Sequence, residues 1–186
     1  MRRAASVEGD ERLRLFVALP LPADTVELLV AWQARELAGL DGTRLVPAEN
    51  LHVTLAFLGW RPASDVAEVL GVLHDAARSA QRPVLAASGY RETRSVGMVV
   101  LDDEGERAAR FADVVGEELE RLGVYEREAR RWLAHVTVLR FRRPPRARPP
   151  LPELGPVSPS EVALYHSVLR PTGAQYEILQ SVPLGG

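Results

Sequence analysis

Two apolar segments of this chain carry the same tripeptide, His-Val-Thr, 83 residues apart. One reads Asn-Leu-His-Val-Thr-Leu and the other Leu-Ala-His-Val-Thr-Val, and apolar, β-branched runs of this kind are typical of strands. Because residues two apart on a strand share a face, His52 lies beside Thr54 while the flanking apolar residues face a core. The same alternation places His135 beside Thr137. The fold must therefore contain two strands that each have one polar and one apolar face.

The rest of the chain alternates further strands with amphipathic helices. Apolar residues at helical spacing predict helices over 24–39, 64–80 and 104–123. Apolar runs bounded by proline, glycine or turn residues predict strands over 13–19, 44–46, 51–58, 84–91, 96–101, 133–139, 161–169 and 175–182, with Gly59 ending the third. We predict an α+β fold, as a single domain over 13–184 that follows a disordered tail of residues 1–12.

Two residue types are missing, and their absence limits the chemistry available. The chain has no cysteine, and all 23 of its lysine-plus-arginine residues are arginine. Thiolate nucleophiles, disulfide frameworks, zinc ribbons and iron–sulfur clusters are therefore excluded. Schiff-base lysines, P-loop lysines and lysyl–nucleotide intermediates are excluded as well. Phosphate must be bound by arginine, hydroxyl groups or backbone amides.

Basic charge is concentrated in one segment, although the formal net charge of the chain is only −2. Five arginines fall between Arg140 and Arg148, and Arg131 lies just upstream. Seven of the 14 prolines lie between Pro144 and Pro159, which excludes a helix or an inner strand there. We predict a loop rich in proline and arginine over 141–159, whose charge favours an anionic ligand.

Nothing in the sequence indicates a membrane or an export route. No apolar run approaches the roughly 20 residues of a membrane-spanning helix. The basic start of the chain lacks the apolar segment of a signal peptide. We therefore expect a cytoplasmic protein.

The two His-x-Thr pairs have the chemistry that displacement at phosphorus requires. Histidine, with an ordinary pKa near 6.5, serves as acid or base at neutral pH. Two histidines on opposite sides of one phosphorus can take a proton from the attacking oxygen and give one to the leaving oxygen. The hydroxyls of Thr54 and Thr137 can donate to the non-bridging phosphate oxygens. No acidic cluster lies near either histidine, so we expect no metal ion and no other cofactor.

A single His-Val-Thr in a strand is usually incidental, and a structural role is the alternative for each motif. The repetition favours catalysis, because two of only four histidines occur in matching apolar strands with threonine at the same offset. Burying these polar groups twice without a purpose would cost desolvation energy.

Both motifs lie in stretches that resemble the 2H phosphoesterase superfamily, which is defined by two His-x-Thr/Ser motifs. The chain is most similar to the RNA 2′,3′-cyclic phosphodiesterase (2′-5′ RNA ligase) family within it. The resemblance covers most of the chain and is carried by residues 14–20, 50–59, 134–140, 165–167 and 176–179. Ala134 stands where this family usually has proline.

The resemblance implies a bilobal α+β fold with pseudo-twofold antiparallel sheets, a central cleft and outer helices. It implies that His52 donates a proton to the leaving 3′ oxygen and that His135 activates water against a 2′,3′-cyclic phosphate at an RNA end, giving a 2′-phosphate. Reversal with a 5′-hydroxyl RNA end would form a 2′-5′ linkage. The residues alone leave open which histidine is the acid. We expect a monomer with RNA as its partner.

Arg140 is a further candidate for phosphate binding, because a guanidinium can hold phosphate with two hydrogen bonds. Strict alternation places position 140 on the face opposite His135 and Thr137. Arg140 therefore reaches the site only if the strand ends or bulges before it. A solvated role is the alternative.

Two other functions remain open at this level. The chain could be a 2H phosphoesterase that acts on 2′-5′ oligonucleotides or small cyclic nucleotides, or a non-catalytic RNA-binding module. The intact histidines and threonines of both motifs argue against the binding module.

Overall fold

The computed structural model of the protein describes residues 11–171 and 173–185. Its three helices are α1 (Ala23–Glu36), α2 (Asp65–Arg78) and α3 (Arg107–Arg121). Its strands are β1 (Arg12–Pro20), β2 (Thr43–Leu45), β3 (His52–Pro62), β4 (Leu85–Glu92), β5 (Val96–Asp103), β6 (His135–Phe141), β7 (Glu161–Arg170) and β8 (Gly173–Pro183). The predicted α+β class is confirmed, and each predicted helix and strand is present.

Local differences from the predicted bounds have physical causes. The strand β3 does not end at Gly59 but continues to Pro62, because Gly59 (φ 71°) takes part in a β-bulge against β1. Helix α3 begins at Arg107 rather than 104, since Gly105 and Glu106 adopt left-handed conformations. Of the predicted tail, residues 1–10 lie outside the described residues, and Arg12 already belongs to β1.

Within the described residues the eight strands form one curled antiparallel sheet. The order β4-β5-β6-β3-β1-β7-β8, with β2 paired to β6, divides the strands into two sets of four. The sets β2, β4, β5, β6 and β1, β3, β7, β8 meet where β3 pairs with β6, through the single residue pair Val53–Val136. The two His-x-Thr strands therefore lie at the centre of the sheet.

The two faces of the sheet differ in what covers them. One face carries Leu15, Val17 and Val53 into a large apolar core that also includes the buried residues of the helices. Helix α2 packs against β7, β8 and α3, and α3 packs against β3 and β5. The other face has only a small apolar cluster around Phe16 and Tyr165 and is otherwise open. The polar residues of the motifs lie on this open face.

The segment rich in proline and arginine is attached to the body of the protein by hydrogen bonds. The Glu92 carboxylate accepts the backbone N–H groups of Arg146 and Ala147, both at 2.9 Å. The Trp32 indole donates to the Pro150 carbonyl at 2.8 Å. Phe141, predicted as the first loop residue, instead ends β6, so the loop begins one residue later.

Candidate active site

The candidate site is built where β3 and β6 meet. Because Val53 pairs with Val136 in antiparallel register, His52 lies opposite Thr137 and Thr54 lies opposite His135. Both valines are buried in the core, so their neighbours on each strand face the open side of the sheet. The fold thus brings the two motifs together as four side chains on one surface.

Each motif is followed by a β-bulge at the same offset. The extra residue is Leu55 on β3, opposite β1, and Val138 on β6, opposite β5. A bulge reverses the alternation of side chains, so the residue five positions after each histidine returns to the histidine's face. These residues are Phe57 on β3 and Arg140 on β6. The bulge that Arg140 requires to reach the site is therefore present.

Two side chains hold these strands in place through three hydrogen bonds. The buried Gln33 amide donates to the carbonyls of Val46, at 3.0 Å, and of the bulge residue Val138, at 2.7 Å. The Trp132 indole, just before β6, donates to the Thr54 carbonyl of β3 at 3.0 Å. The bonds to Val138 and Thr54 connect elements that are far apart in the sequence, and they fix the positions of the bulge and the motif.

A cleft of about 760 Å³ opens over this surface. Four of the five predicted site residues line it: His52, Thr54, Thr137 and Arg140. Among the described residues, its wall contains four arginines and one carboxylate: Arg14, Arg44, Arg140, Arg170 and Glu49. The cleft is therefore suited electrostatically to an anion.

His52 lies at the floor of this cleft. Its Nε2 is 3.1 Å from the Thr54 hydroxyl. Burial lowers the pKa of His52 to about 4, and the positive charges of His135 and Arg140 act in the same direction. A backbone interaction with Asn50 raises this pKa, and Nδ1 of His52 is buried. His52 is thus neutral at pH 7 when the cleft holds no anion.

His135 lies at the rim of the cleft and does not belong to its lining. Its Nδ1 is 2.8 Å from the Leu133 carbonyl oxygen. Because a carbonyl oxygen can only accept, Nδ1 carries the hydrogen of the neutral ring. The lone pair of neutral His135 is therefore on Nε2, which is the tautomer a proton acceptor needs.

The low pKa of His52 predicts that acid destabilises the protein. Below pH 6.5 the unfolded chain gains a proton at His52 that the folded protein does not accept until about pH 4. The free energy of unfolding is therefore unaffected by protonation of His52 above pH 6.5, and it decreases as the pH falls from 6.5 to about 4. We expect the free energy of unfolding to drop by up to about 3 kcal/mol more in the wild type than in His52→Asn over this range. Urea denaturation at a series of pH values measures this difference. The same pH dependence of unfolding in the wild type and in His52→Asn would contradict the prediction.

Aromatic rings support His52 from beneath. The Phe16 ring is 5.0 Å from the His52 ring, stacks on Tyr165 at 4.7 Å and meets Tyr176 edge-on at 4.9 Å between centroids. Phe16 is only 3% exposed, so it supports the imidazole rather than offering a surface to a ligand. Tyr176 lies at the cleft wall, where its hydroxyl is 3.5 Å from the Arg140 guanidinium.

Residues 11–171 and 173–185 contain neither a metal-binding cluster nor a membrane-spanning helix. No three His, Cys, Asp or Glu side chains come together there in a cluster that could bind a metal ion. The remaining histidines, His74 and His166, do not line the cleft. No described helix has the length and hydropathy needed to cross a bilayer.

Arg14, Asn50 and Phe57 are among the cleft residues that have no role in the sequence analysis. The Asn50 amide nitrogen donates to the Ala174 carbonyl at 2.9 Å, while its buried Oδ1 has no partner among the described residues. Phe57 could have been found by aligning His-Val-Thr-Leu-Ala-Phe with His-Val-Thr-Val-Leu-Arg, because it occupies the position of Arg140. No sequence pattern marked Arg14, since its position in the cleft depends on how β1 pairs with β3.

Comparison with known proteins finds the same fold in solved structures. Protein TT0787 of Thermus thermophilus matches with a TM-score of 0.80 and 30% identity, over 94% of this chain and 99% of that chain. Escherichia coli LigT, crystallised with 3′-AMP, matches with a TM-score of 0.79 and 25% identity, over 95% of this chain and 100% of that chain.

Sequence comparison agrees with the structural match. A Thermus thermophilus RNA 2′,3′-cyclic phosphodiesterase is 32% identical over 187 residues, which cover 94% of this chain and 91% of the relative. The model of the LigT like phosphoesterase family matches residues 19–94. The chain carries the two His-x-Thr motifs of a 2H phosphoesterase, on neighbouring strands at the centre of one antiparallel sheet. This chain belongs to the LigT-like phosphoesterase family.

Proposed function

We propose that the protein hydrolyses the 2′,3′-cyclic phosphate end of RNA to a 2′-phosphate, by acid–base catalysis from His52 and His135 and without a metal ion. The observation that carries the proposal is the Val53–Val136 pairing, which makes the two His-Thr pairs neighbours on one face of the sheet, beside an arginine-lined cleft. The name of the Thermus relative supports the choice of substrate. We expect the protein to act in the cytoplasm as a monomer, since one chain supplies these side chains.

His135 is the base in this proposal. Its Nδ1 hydrogen is directed to the Leu133 carbonyl, so Nε2 is free to accept a proton. Water attacks the phosphorus as His135 removes its proton. The new P–O bond forms opposite the bond that breaks, which is the P–O3′ bond of the ring.

His52 is the acid in this proposal, and bound substrate favours the protonated form of its ring. The negative charge of the cyclic phosphate beside the ring raises its pKa from the low value of the free protein. The backbone of Asn50, which already raises that pKa, favours the same charged form. As the P–O3′ bond breaks, His52 gives its proton to O3′, and the 2′-phosphate remains on the ribose.

The hydroxyls of Thr54 and Thr137 are proposed to donate to the two non-bridging oxygens. Each lies opposite the histidine of the other strand, so both flank the phosphorus. Arg140 adds a charged donor at the His52 end. These groups stabilise the negative charge that builds on the phosphoryl oxygens in the transition state.

The proposed site also supports ligation, with the proton transfers running in the same direction as in hydrolysis. The 5′-hydroxyl of a second strand takes the place of water, His135 accepts its proton, and His52 gives a proton to O3′. The bond formed is a 2′-5′ phosphodiester, and neither ATP nor a lysyl–nucleotide intermediate takes part. The ring phosphate supplies the activated bond.

Turnover of an oligonucleotide that ends in a 2′,3′-cyclic phosphate, in excess chelator, tests the proposal. We expect full turnover with a 2′-phosphate as the only product, identified by ³¹P NMR. Turnover that stops in chelator would contradict metal independence, and a 3′-phosphate product would contradict the assignment of the leaving oxygen. Turnover of a mononucleotide cyclic phosphate but not of the oligonucleotide would favour a small cyclic nucleotide as substrate. Binding of the oligonucleotide without turnover of any substrate would indicate the non-catalytic module.

A further inference from the structure

One of the four cleft arginines, Arg14, lies apart from the His-Thr surface. The Arg14 guanidinium carbon is 4.6 Å from the centroid of the Phe57 ring. Its Nη1 donates to the Ser167 hydroxyl at 3.0 Å, and Ser167 is only 1% exposed. These residues belong to the neighbouring strands β3, β1 and β7, so the guanidinium is held on a rigid support.

This support leaves the charge of Arg14 available. No carboxylate forms an ion pair with Arg14 among the described residues, and Ser167 takes only one of the five guanidinium N–H donors. Phe57 is 47% exposed and contributes little to the core. A cleft-lining arginine that is oriented but not neutralised is suited to bind a phosphate.

The strand register gives the order of these groups along the cleft. Arg140 lies beyond His52, close enough that its charge acts on that ring. Phe57, the equivalent residue of the other motif, lies beyond His135 with Arg14 stacked on it. A phosphorus bound between the two histidines, as the proposed function has it, would therefore have Arg140 on one side and Arg14 on the other.

The proposed function makes the end at Arg14 the side from which the attacking oxygen arrives. In the proposed function the ribose that keeps the phosphate has its O3′ at His52, and the attacking oxygen is activated at His135. Water needs no binding groups on that side. An RNA strand that presents a 5′-hydroxyl needs binding groups there, because the next phosphate of that strand extends away from the reacting phosphate.

We propose that Arg14, stacked on Phe57, binds the next phosphate of the strand whose 5′ oxygen faces His135. This inference rests on the proposed function and gives a binding subsite to the 5′-hydroxyl strand of the 2′-5′ linkage that its ligation reaction forms. In cleavage of such a linkage the 3′-hydroxyl loses its proton to His52 and forms the O3′–P bond. The P–O5′ bond breaks, and His135 gives its proton to O5′. The products are a 2′,3′-cyclic phosphate and a 5′-hydroxyl strand.

Two 2′-5′-linked dinucleotides, with and without a phosphate on the 3′-terminal nucleoside, test the inference. The wild type is expected to cleave the phosphorylated one with a kcat/KM about tenfold higher or more, the size of one charged hydrogen bond. Arg14→Gln should reduce this preference to near one, and Arg14→Lys, which keeps the charge, should retain part of it. Arg78→Gln, which removes an equal charge from the exposed face of α2, should leave it unchanged. The slope of the logarithm of kcat/KM for the phosphorylated dinucleotide against the logarithm of the salt concentration should become shallower by about one unit in Arg14→Gln. The other two variants should keep the slope of the wild type.

Several results would overturn the inference while leaving the proposed function intact. One is a wild type that cleaves both dinucleotides with the same kcat/KM, and another is a preference for the phosphorylated one that survives Arg14→Gln. The others are an equal loss of kcat/KM on both dinucleotides in Arg14→Gln, and no cleavage of either dinucleotide by a protein that hydrolyses cyclic-phosphate ends. An Arg14-dependent preference for a 5′-phosphorylated over a 5′-hydroxyl mononucleotide cyclic phosphate would assign the subsite to the other strand and also overturn it. If no cyclic phosphate is turned over, the proposed function fails. In that case the dissociation constants of the two dinucleotides, measured by calorimetry with the same variants, test the subsite. Tighter binding of the phosphorylated dinucleotide that is lost in Arg14→Gln would support it, and equal binding would overturn it.

Discussion

Replacing either motif histidine with asparagine is expected to lower kcat/KM for an oligonucleotide with a 2′,3′-cyclic phosphate end by about 10²- to 10⁴-fold. His135→Asn removes the acceptor of the water proton, and His52→Asn removes the donor to O3′. Asparagine is polar and smaller than histidine, so it fits the floor beside Phe16 and the rim beside Leu133 without overpacking. Initial rates in excess chelator at pH 7 measure the effect.

The matched control is His74→Asn, which removes a histidine from the exposed side of α2, outside the cleft. Its kcat/KM should equal that of the wild type. Circular dichroism and urea denaturation confirm that each variant is folded at the assay temperature. A motif variant that is folded and retains more than a tenth of the wild-type kcat/KM would contradict its assigned role.

Removing either motif hydroxyl is expected to produce the second largest loss. Thr54→Val and Thr137→Val keep the shape of the side chain but delete the donor to a non-bridging oxygen, and each should lower kcat by about 10²- to 10³-fold. KM should change much less, because the charge on those oxygens is greatest in the transition state. Steady-state kinetics on the same oligonucleotide separate the two constants.

Serine at the same positions gives the control for the threonines. Thr54→Ser and Thr137→Ser keep the hydroxyl and should recover most of the lost kcat. The two positions should respond alike, since each lies opposite the histidine of the other strand. A valine variant with the kcat of the wild type, or a serine variant as slow as valine, would show that the hydroxyl does not act on the phosphoryl group.

The sequence carries enough local information to predict the elements and the polar faces of the motif strands. Alternation within β3 places His52 beside Thr54, and this needs no knowledge of the strand next to it. Apolar spacing likewise locates the helices, with errors only at their ends. Helix α3 starts late because Asp103 accepts hydrogen bonds from the backbone N–H groups of Ala108 and Ala109, a cap that bridges two left-handed residues.

Properties that depend on pairing between distant strands were beyond prediction from residues alone. The partner of Val53 is Val136, and no local pattern indicates that pairing or the bulges at Leu55 and Val138. Those bulges decide that Arg140 and Phe57 face the cleft. The resemblance to 2H phosphoesterases supplied the expectation of a shared cleft that the residues lacked.

Measuring His52→Asn, His135→Asn and the double variant together, on the cyclic-phosphate oligonucleotide in excess chelator, tests most directly whether the two motifs form one catalytic centre. Groups that act as a unit on one phosphorus are strongly non-additive. The double variant should therefore be within about tenfold of the slower single variant, because the first substitution already disables the proton transfers. Losses that multiply in the double variant, or single variants as active as the wild type, would contradict a joint two-histidine site.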